Sequence, residues 1–460
     1  MMFEKMLQWL RRMLGSYFDG KSGAASDIII SSEMEARLSE WVRMYEGAPM
    51  KEDVPSIGLG AAICAEFARL VTMENEITIT GSVRADFLSA QLTQLDLAKT
   101  VELACALGGV ILKPYVSGNR IAIDMIQADC FYPIAFNAGG RMTGAIFADQ
   151  IRRKNKLYTR LEKHEFVDGT HSIENIAFES GNAASLGSEI SLEAVPEWAD
   201  IAPYMEFTGC DRPLFAYFKM PFANTVDRYS PLGVSVFSRA TGLIQDADEQ
   251  YGRYVWEYVG GELAVDVTAD YLKPTPGGGA NLPKGKERLF RGRDYRTTDF
   301  YQVFAPALRD ESIKRGFNTM LQRIEFACGL AYGTLSDPQN VEKTAEEIRS
   351  SRQRSYATVH AIQVCAEAAL SDLLYAMDRM ATVYRICPEG AYAVAFDWDD
   401  SVLNDPAQRK AQFWQYVTAG RFPFWRYLVE FEGYTEEEAK AIQAESSAAV
   451  GDPYAQPNIS

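Results

Sequence analysis

Residues 344–385 read TAEEIRSSRQRSYATVHAIQVCAEAALSDLLYAMDRMATVYR, and they predict one very long α-helix. Thr344 and Glu347 have the spacing of a capping box, in which two side chains bond free N–H groups of the first turn. Neither Pro nor Gly interrupts the segment, which would extend roughly 60 Å at about 1.5 Å per residue. Apolar residues recur every three or four positions on one face, at Val359, Ile362, Ala366, Ala369, Leu373, Met377, Met380 and Tyr384. Because ordinary helices average about eleven or twelve residues, this length is typical of a protein that spans an assembly.

Two shorter helices are predicted before the long one. Helical spacing occupies residues 231–258, ends at a Gly pair, and returns over residues 310–332. Between these helices, residues 262–267 and 300–304 have the composition of short strands, and residues 274–296 are predicted to be irregular. This order predicts a helix hairpin with an insertion at its tip.

The rest of the chain predicts a mixture of helices and antiparallel strands. Helical spacing marks three early segments, 33–46, 58–73 and 88–108. Short apolar or alternating runs separated by Gly, Asn and Asp occupy residues 77–83 and 107–178, which is the signature of a β-meander. A strand at 391–398 and two or three helices at 406–446, broken near two glycines, are predicted after the long helix. The predicted fold class is α+β, with several domains.

The composition predicts a globular protein with a large core. The chain has 460 residues, 47% of them hydrophobic, which is enough for about two to four folding units. The longest apolar runs fall far short of the roughly 20 residues that cross a bilayer, so no membrane partner is expected. Seven cysteines occur without a C-x-x-C pair, which predicts reduced thiols rather than a disulfide scaffold.

Charge is distributed unevenly along the chain. The formal net charge is −16, and an acidic surface disfavours a tight grip on DNA phosphates while letting DNA slide past. Residues 284–296 oppose this trend, because six cations stand there against two acids. The cations are Lys284, Lys286, Arg288, Arg291, Arg293 and Arg296. Two interpretations stay open, a solvated loop and a protruding tip that docks an acidic partner or DNA phosphates.

The N-terminal residues combine an amphipathic pattern with a nucleotide-binding motif. Residues 1–14 predict a short amphipathic helix rather than a signal peptide, and packing is favoured over membrane contact. Residues 15–22, GSYFDGKS, match the phosphate-binding pattern G-x-x-x-x-G-K-[ST] and begin a Gly/Ser-rich linker. That chemistry needs a buried strand before the loop and a helix after it. The flanking sequence predicts neither, so a working ATP site is not expected.

The remaining motifs are weak. Gly58 and Gly60 begin like a dinucleotide fingerprint, but Ile63 takes the third glycine position, so a helix start is expected there. An acid cluster after the strand at 391–398 favours a solvated turn over a metal site, and it comprises Asp397, Asp399 and Asp400. The histidines lack zinc-site spacing and are expected on the surface or in the core, at His164, His171 and His360. The sequence therefore predicts no catalytic residue, no metal and no cofactor, and no enzyme.

Three phrases resemble the portal proteins of tailed bacteriophages, and more narrowly the portal, or minor capsid, family of siphophages. They are PFANTVDRYSPLGVSVFSRATGLIQDADEQYGRYVWEY (221–258), GTLSDPQNVEKTAEEIRSSRQRSY (333–356) and AFDWDDSVLNDPAQ (395–408). The order of helices, insertion, loop, long helix and strand is similar to that family over roughly residues 30–446. The resemblance is weaker for the first 30 residues and for the β-meander.

The resemblance implies the portal fold, with wing, stem, clip and crown regions. Its boundaries would be wing 1–230, first stem helix 231–260, clip 261–307, second stem helix 308–332, tunnel loop 333–343, long helix 344–385, wing strand 386–402, crown 403–446 and flexible tail 447–460. In this family the copies form a ring, in virions typically of twelve subunits. The ring is a head-to-tail connector at the capsid vertex, through which double-stranded DNA is packaged and ejected.

The resemblance also implies sites and partners. The expected DNA-facing positions of the tunnel loop are Asp337, Gln339, Asn340 and Lys343. The clip, with its basic residues 284–296, would dock the large terminase subunit and later a head-completion or adaptor protein. Major capsid and scaffolding proteins are further expected partners. The expected location is the virion, and the host cytoplasm during assembly.

Two other functions compete with this expectation. One is another head–tail structural or adaptor protein, which the length of the chain and the interrupted helix hairpin disfavour. The other is a packaging ATPase that uses residues 15–22, which the missing acid-ended strand after the motif disfavours.

Overall fold

A computed structural model of the chain describes residues 30–52, 54–73, 75–181, 185–268, 290–293, 301–337, 345–398, 406–419 and 421–449. The helices are α1 (Ser32–Tyr45), α2 (Leu59–Thr72), α3 (Val83–Leu92), α4 (Leu97–Leu107), α5 (Thr241–Gly260), α6 (Asp310–Cys328), α7 (Ala345–Val383), α8 (Pro406–Thr418), α9 (Phe424–Glu432) and α10 (Glu436–Ala449). The strands of the first half are β1 (Asn75–Thr80), β2 (Gly109–Ser117), β3 (Arg120–Gln127), β4 (Phe131–Phe136), β5 (Met142–Arg153), β6 (Lys156–Val167), β7 (Thr170–Ser180), β8 (Ser188–Ile190), β9 (Tyr204–Thr208) and β10 (Ala216–Lys219). The later strands are β11 (Ala264–Thr268), β12 (Phe290–Arg293), β13 (Tyr301–Phe304) and β14 (Ala393–Trp398). The fold is α+β, and it divides into two compact units, Met1–Asp397 and Trp398–Ser460.

The predicted β-meander forms the largest sheet of the first unit. Its strand order is β4-β5-β6-β7-β8, and β9 also pairs with β7. Strands β5 and β6 have 12 residues each, longer than the short apolar runs predicted there. Asp168 and Gly169 both have positive φ and join β6 to β7 in a two-residue hairpin, as their sequence favours. A second sheet has the order β10-β2-β3, and β1 pairs with β14.

The long helix α7 spans 39 residues and carries much of the core. It packs on β2 and β10 and against α2 and α3. The predicted apolar stripe is buried from Val359 to Met380, whereas Tyr384 lies beyond the helix and is exposed. Thr344, half of the predicted capping box, lies outside the described residues.

The C-terminal end of α7 is capped by a buried arginine from α3. Arg84 is fully buried and donates hydrogen bonds to the carbonyls of Asp378 (2.9 Å), Cys387 (2.8 Å) and Pro388 (2.9 Å). A cation here satisfies backbone carbonyls that have no partner within the helix, and it lies at the negative end of the helix dipole. This contact joins segments about 300 positions apart in sequence, which a local pattern does not reveal.

Two predicted helices differ from the structure. The segment 88–108 is divided between α3 and α4, because the Asp96 side chain accepts a hydrogen bond from the Lys99 N–H (3.0 Å) and starts a new helix. The first stem helix begins at Thr241, ten residues later than predicted. Residues 231–240 instead pack on the end of α4, where the Val236 N–H and the Ser235 hydroxyl donate to the Cys105 carbonyl.

The second unit contains three helices, in agreement with the prediction of two or three. Gly433, with φ of 76°, ends α9. Thr435 and Glu438 then form a capping box, since each side chain accepts a hydrogen bond from the other residue's backbone N–H. The Trp414 and Tyr427 rings, 5.2 Å apart, join α8 to α9.

The seven cysteines are free thiols, and Cys64, Cys105 and Cys328 are buried, as predicted. Within the part of the chain that the structure describes, no helix is both long enough and apolar enough to span a bilayer.

Candidate functional site: a helix hairpin and an anchored loop

Helices α5 and α6 form an antiparallel hairpin. The Tyr251 and Phe317 rings meet along its length with centroids 6.4 Å apart. Near its tip, the Arg309 guanidinium bonds both carboxylate oxygens of Glu257, with Nη2–Oε2 at 2.6 Å and Nε–Oε1 at 3.1 Å. These hydrogen bonds from Arg309 hold the pKa of Glu257 below its usual range. The bidentate geometry fixes how the two helices begin and end relative to each other.

The tip of the hairpin is a three-stranded sheet. Strand β11 lies in the middle, antiparallel to β13 and parallel to β12. The prediction that residues 274–296 are irregular is therefore wrong at 290–293, because parallel pairing with a strand before α6 supplies backbone partners that local sequence does not reveal. Arg291 and Arg293 lie on β12, opposite Asp266 and Thr268 of β11. The other predicted basic residues lie outside the described part of the chain, at Lys284, Lys286, Arg288 and Arg296.

The base of α5 is held by the segment before α2. Asp248 is only 5% exposed, and its carboxylate accepts a hydrogen bond from the Ile57 N–H (3.0 Å). Burial raises the pKa of Asp248, and this hydrogen bond opposes the increase. Lys51 and Glu249 form an ion pair beside it. The hairpin is thus fixed to the first unit at its base while its far half is left exposed.

A buried carboxylate holds the loop that follows α6. Glu325 is fully buried, and its oxygens accept hydrogen bonds from the backbone N–H groups of Leu335 (2.6 Å) and Ser336 (2.8 Å). The Ser336 hydroxyl donates a further bond of 2.9 Å, and the Gly333 N–H one of 3.3 Å. A buried carboxylate without donors is strongly unfavourable, so these bonds make the loop conformation part of the helix packing.

Aromatic and polar contacts join this loop to α7. The Arg354 guanidinium lies over the Phe326 ring at 4.5 Å and over the Tyr332 ring at 5.4 Å from each centroid. The Tyr332 N–H donates to the Ser351 hydroxyl at 2.7 Å. Helix α6, the loop and α7 therefore form one connected structure.

The predicted tunnel-loop residues are only partly described. Asp337 is exposed, and its backbone N–H donates to the Asn318 side chain on α6 at 2.8 Å. Gln339, Asn340 and Lys343 lie outside the described residues. The anchoring residues Glu325 and Asn318 were not predicted, although an acid on the apolar face of a predicted helix, next to Ile324 and Cys328, was a usable signal.

Large apolar side chains are exposed along the far half of the hairpin and its tip. They are Tyr251, Val255, Trp256, Tyr258, Val259, Leu263, Val303, Phe304, Leu308 and Phe326. Trp256 is 70% exposed. Contiguous apolar surface of this kind marks an interaction site on a protein.

The other predicted motifs have structural explanations or lie outside the described residues. Gly58 has φ of 72° and precedes α2, which confirms the expected helix start. His164 and His171 are buried core histidines, and His360 lies exposed on α7. Residues 15–22, and Asp399 and Asp400 of the acid cluster, are not described. Among the described side chains, no group of three or more His, Cys, Asp or Glu could hold a metal ion.

Comparison with protein-family models and with curated proteins gives no match. Comparison of folds does find similar solved structures. One is described as the neck of a native GTA particle computed with C12 symmetry. The match covers 85% of this chain and 93% of that chain, with a TM-score of 0.43 and 13% sequence identity. This likeness is too distant to assign a fold family or a function to the chain.

Proposed function

We propose that the chain is a portal protein of a tailed bacteriophage. Copies would close into a ring, typically of twelve, at the capsid vertex of the virion. The ring would provide a channel for double-stranded DNA during packaging and ejection. The observation that carries the proposal is the exposed apolar surface of the α5–α6 hairpin, because side-by-side hairpins of neighbouring copies would bury it.

The proposed mechanism is mechanical and electrostatic, with no chemical step. The hairpin would form the stem, and the sheet at its tip would form the clip. The loop anchored by Glu325 would face the channel, and α7 would connect the channel to the outer wing. A net charge of −16, repeated around a ring, favours sliding of DNA over binding.

The proposed partners follow from this arrangement. The large terminase subunit would dock on the clip while DNA is packaged, and a head-completion or adaptor protein would replace it. Major capsid and scaffolding proteins would surround the wing in the host cytoplasm during assembly. The basic residues of the clip give an acidic partner surface an attractive field.

The proposal is tested by native mass spectrometry and negative-stain microscopy of the purified chain. We expect closed rings with a central opening. Trp256→Ala should raise the dissociation constant between copies by about tenfold or more, as loss of a large interface aromatic does. Tyr229→Ala, at a residue 82% exposed and outside the hairpin, is the matched control and should leave the rings unchanged.

Three outcomes would contradict the proposal. A monomer at every concentration would remove the ring. Particles without an opening would indicate an adaptor or another structural protein. Saturable ATP binding that is lost in Lys21→Ala would indicate a packaging ATPase.

A further inference from the structure

A cavity of about 900 Å³ lies in the first unit, between the large sheet, the β2–β3 hairpin and the end of α7. Its floor is an ion cluster around Glu162. The Glu162 carboxylate accepts hydrogen bonds from Lys113 (2.7 Å), Arg160 (3.1 Å) and His164 (2.7 Å). All four side chains are largely buried. The two floor cations are therefore neutralised in part from within, and they do not call for an anionic ligand.

The mouth of the cavity is acidic and apolar. Asp124, Asp149 and Asp200 line it, and about half of the Asp124 and Asp149 side chains is exposed to solvent. Tyr115 and Tyr384 also line it and are 48% and 44% exposed. Further in, the walls are apolar, with Met125, Phe147, Ile173, Met205 and Phe207. An occupant that fits this surface presents large apolar side chains together with positive charge.

One segment of the chain has this chemistry. Residues 1–14, MMFEKMLQWLRRML, combine Met, Leu, Phe and Trp side chains with Lys5, Arg11 and Arg12, against the single acid Glu4. Lys and Arg at the edge of an apolar stripe can bond the carboxylates at the mouth while their neighbours pack inside.

The segment also starts near the cavity. Ile30, where the described chain begins, lines a small apolar pocket together with Ala128 and Phe131. Gln127 and Cys130, from the same turn between β3 and β4, line the large cavity. The fifteen residues 15–29 reach at most about 50 Å when extended, which is ample for this distance across one turn.

We infer that residues 1–14 dock in this cavity of their own chain, with their apolar side chains against its walls and their cations at Asp124, Asp149 and Asp200. The docked segment would cover an apolar surface that the described residues leave open to solvent. The inference is independent of the proposed channel function, because it concerns contacts within one chain.

Zero-length carbodiimide cross-linking of the full chain tests this inference, since the reagent joins a lysine to a carboxylate in direct contact. We expect mass spectrometry to find Lys5 linked to one or more of the three aspartates at the mouth. The Lys156–Glu179 pair, at 2.5 Å, is the positive control. Arg11→Glu with Arg12→Glu should lower the Lys5 link about fivefold or more, because two attractive contacts become repulsive.

The control variant and the isotope arm make the result decisive. Arg421→Glu with Arg426→Glu, in the second unit, carries the same charge change and should leave the Lys5 link unchanged. A Lys156–Glu179 link without any link from Lys5 to the mouth would overturn the inference. In assemblies mixed from ¹⁴N and ¹⁵N chains, links found only between differently labelled chains would assign the cavity to a second copy and would also overturn it.

Discussion

At the scale of single residues, Glu325 has the largest structural consequence in the hairpin. Four hydrogen bonds from residues 333–336 end on its carboxylate. Glu325→Gln places an amide N–H₂ against some of these donors, so we expect the free energy of unfolding in urea to fall by about 1–3 kcal/mol. Glu311→Gln, at a side chain 87% exposed on the same helix, should change it by less than about 0.5 kcal/mol. Equal effects of the two variants would contradict the anchoring role.

The buried histidines form a directional chain of hydrogen bonds. The Leu214 N–H donates to His171 Nδ1 (3.5 Å), which leaves His171 Nε2 to donate to His164 Nδ1 (3.0 Å). His164 Nε2 then donates to Glu162 (2.7 Å). This order requires both rings to be neutral, with the proton on Nε2. Burial and the neighbouring His164 lower the pKa of His171 to about 2. Burial also lowers the pKa of His164, against the opposing hydrogen bond to Glu162.

These lowered pKa values predict a loss of stability in mild acid. Below the ordinary histidine pKa of 6.5, the unfolded chain binds protons that the native chain does not, so stability falls as the pH falls. We expect up to about 1.4 kcal/mol per pH unit for each histidine in urea unfolding between pH 6 and pH 5. His171→Gln should reduce this slope by about one proton. His360→Gln, at an exposed position, should keep the slope, and an unchanged slope in His171→Gln would contradict the neutral pair.

At the scale of elements, a contact between two glycines determines where α5 begins. A Cβ on Gly233 would lie 1.9 Å from the Gly108 carbonyl oxygen, which belongs to the backbone at the end of α4. Residues 231–240 follow this close approach instead of continuing the helix. We expect Gly233→Ala to lower the free energy of unfolding by about 3 kcal/mol, as overpacking against backbone does.

Gly242 is the matched control for this substitution. It lies in α5, and a Cβ there would meet nothing within 4 Å. Gly242→Ala should therefore raise the free energy of unfolding by about 0.5 kcal/mol, because Ala restricts the unfolded chain and favours helix. A similar loss for both variants in urea unfolding would show that the contact between glycines is unimportant.

At the scale of the whole molecule, the basic strand at the tip is expected to act on a partner and not on assembly. Arg291 and Arg293 lie in the three-stranded sheet, away from the helices of the hairpin. Arg291→Glu with Arg293→Glu should leave rings intact by native mass spectrometry and reduce DNA packaging in vitro severalfold, since a charge reversal repels an acidic partner.

A control with the same charge change separates this effect from net charge. Arg152→Glu with Lys154→Glu lies at the exposed turn between β5 and β6 and should leave packaging unchanged. Unchanged packaging in the Arg291 and Arg293 variant would remove the docking role of the tip.

The sequence by itself determined the elements whose signals are local. The stripe from Val359 to Met380 follows the period of a helix, and only burial of that face explains it. The Asp168-Gly169 turn and the helix breaks near Gly420 and Gly433 likewise depend on backbone preferences of single residues. The α+β class and the order of helices around the hairpin follow from such signals.

Tertiary structure alone decided the features that depend on partners distant in sequence. Arg84 caps a helix about 300 positions away, and Glu325 anchors a loop that no periodicity places beside it. Strand β12 exists because β11 offers it a parallel partner, although its own residues resemble an irregular loop. The start of α5 depends on the backbone of Gly108, which competes with helix propensity and prevails because two atoms cannot share one position.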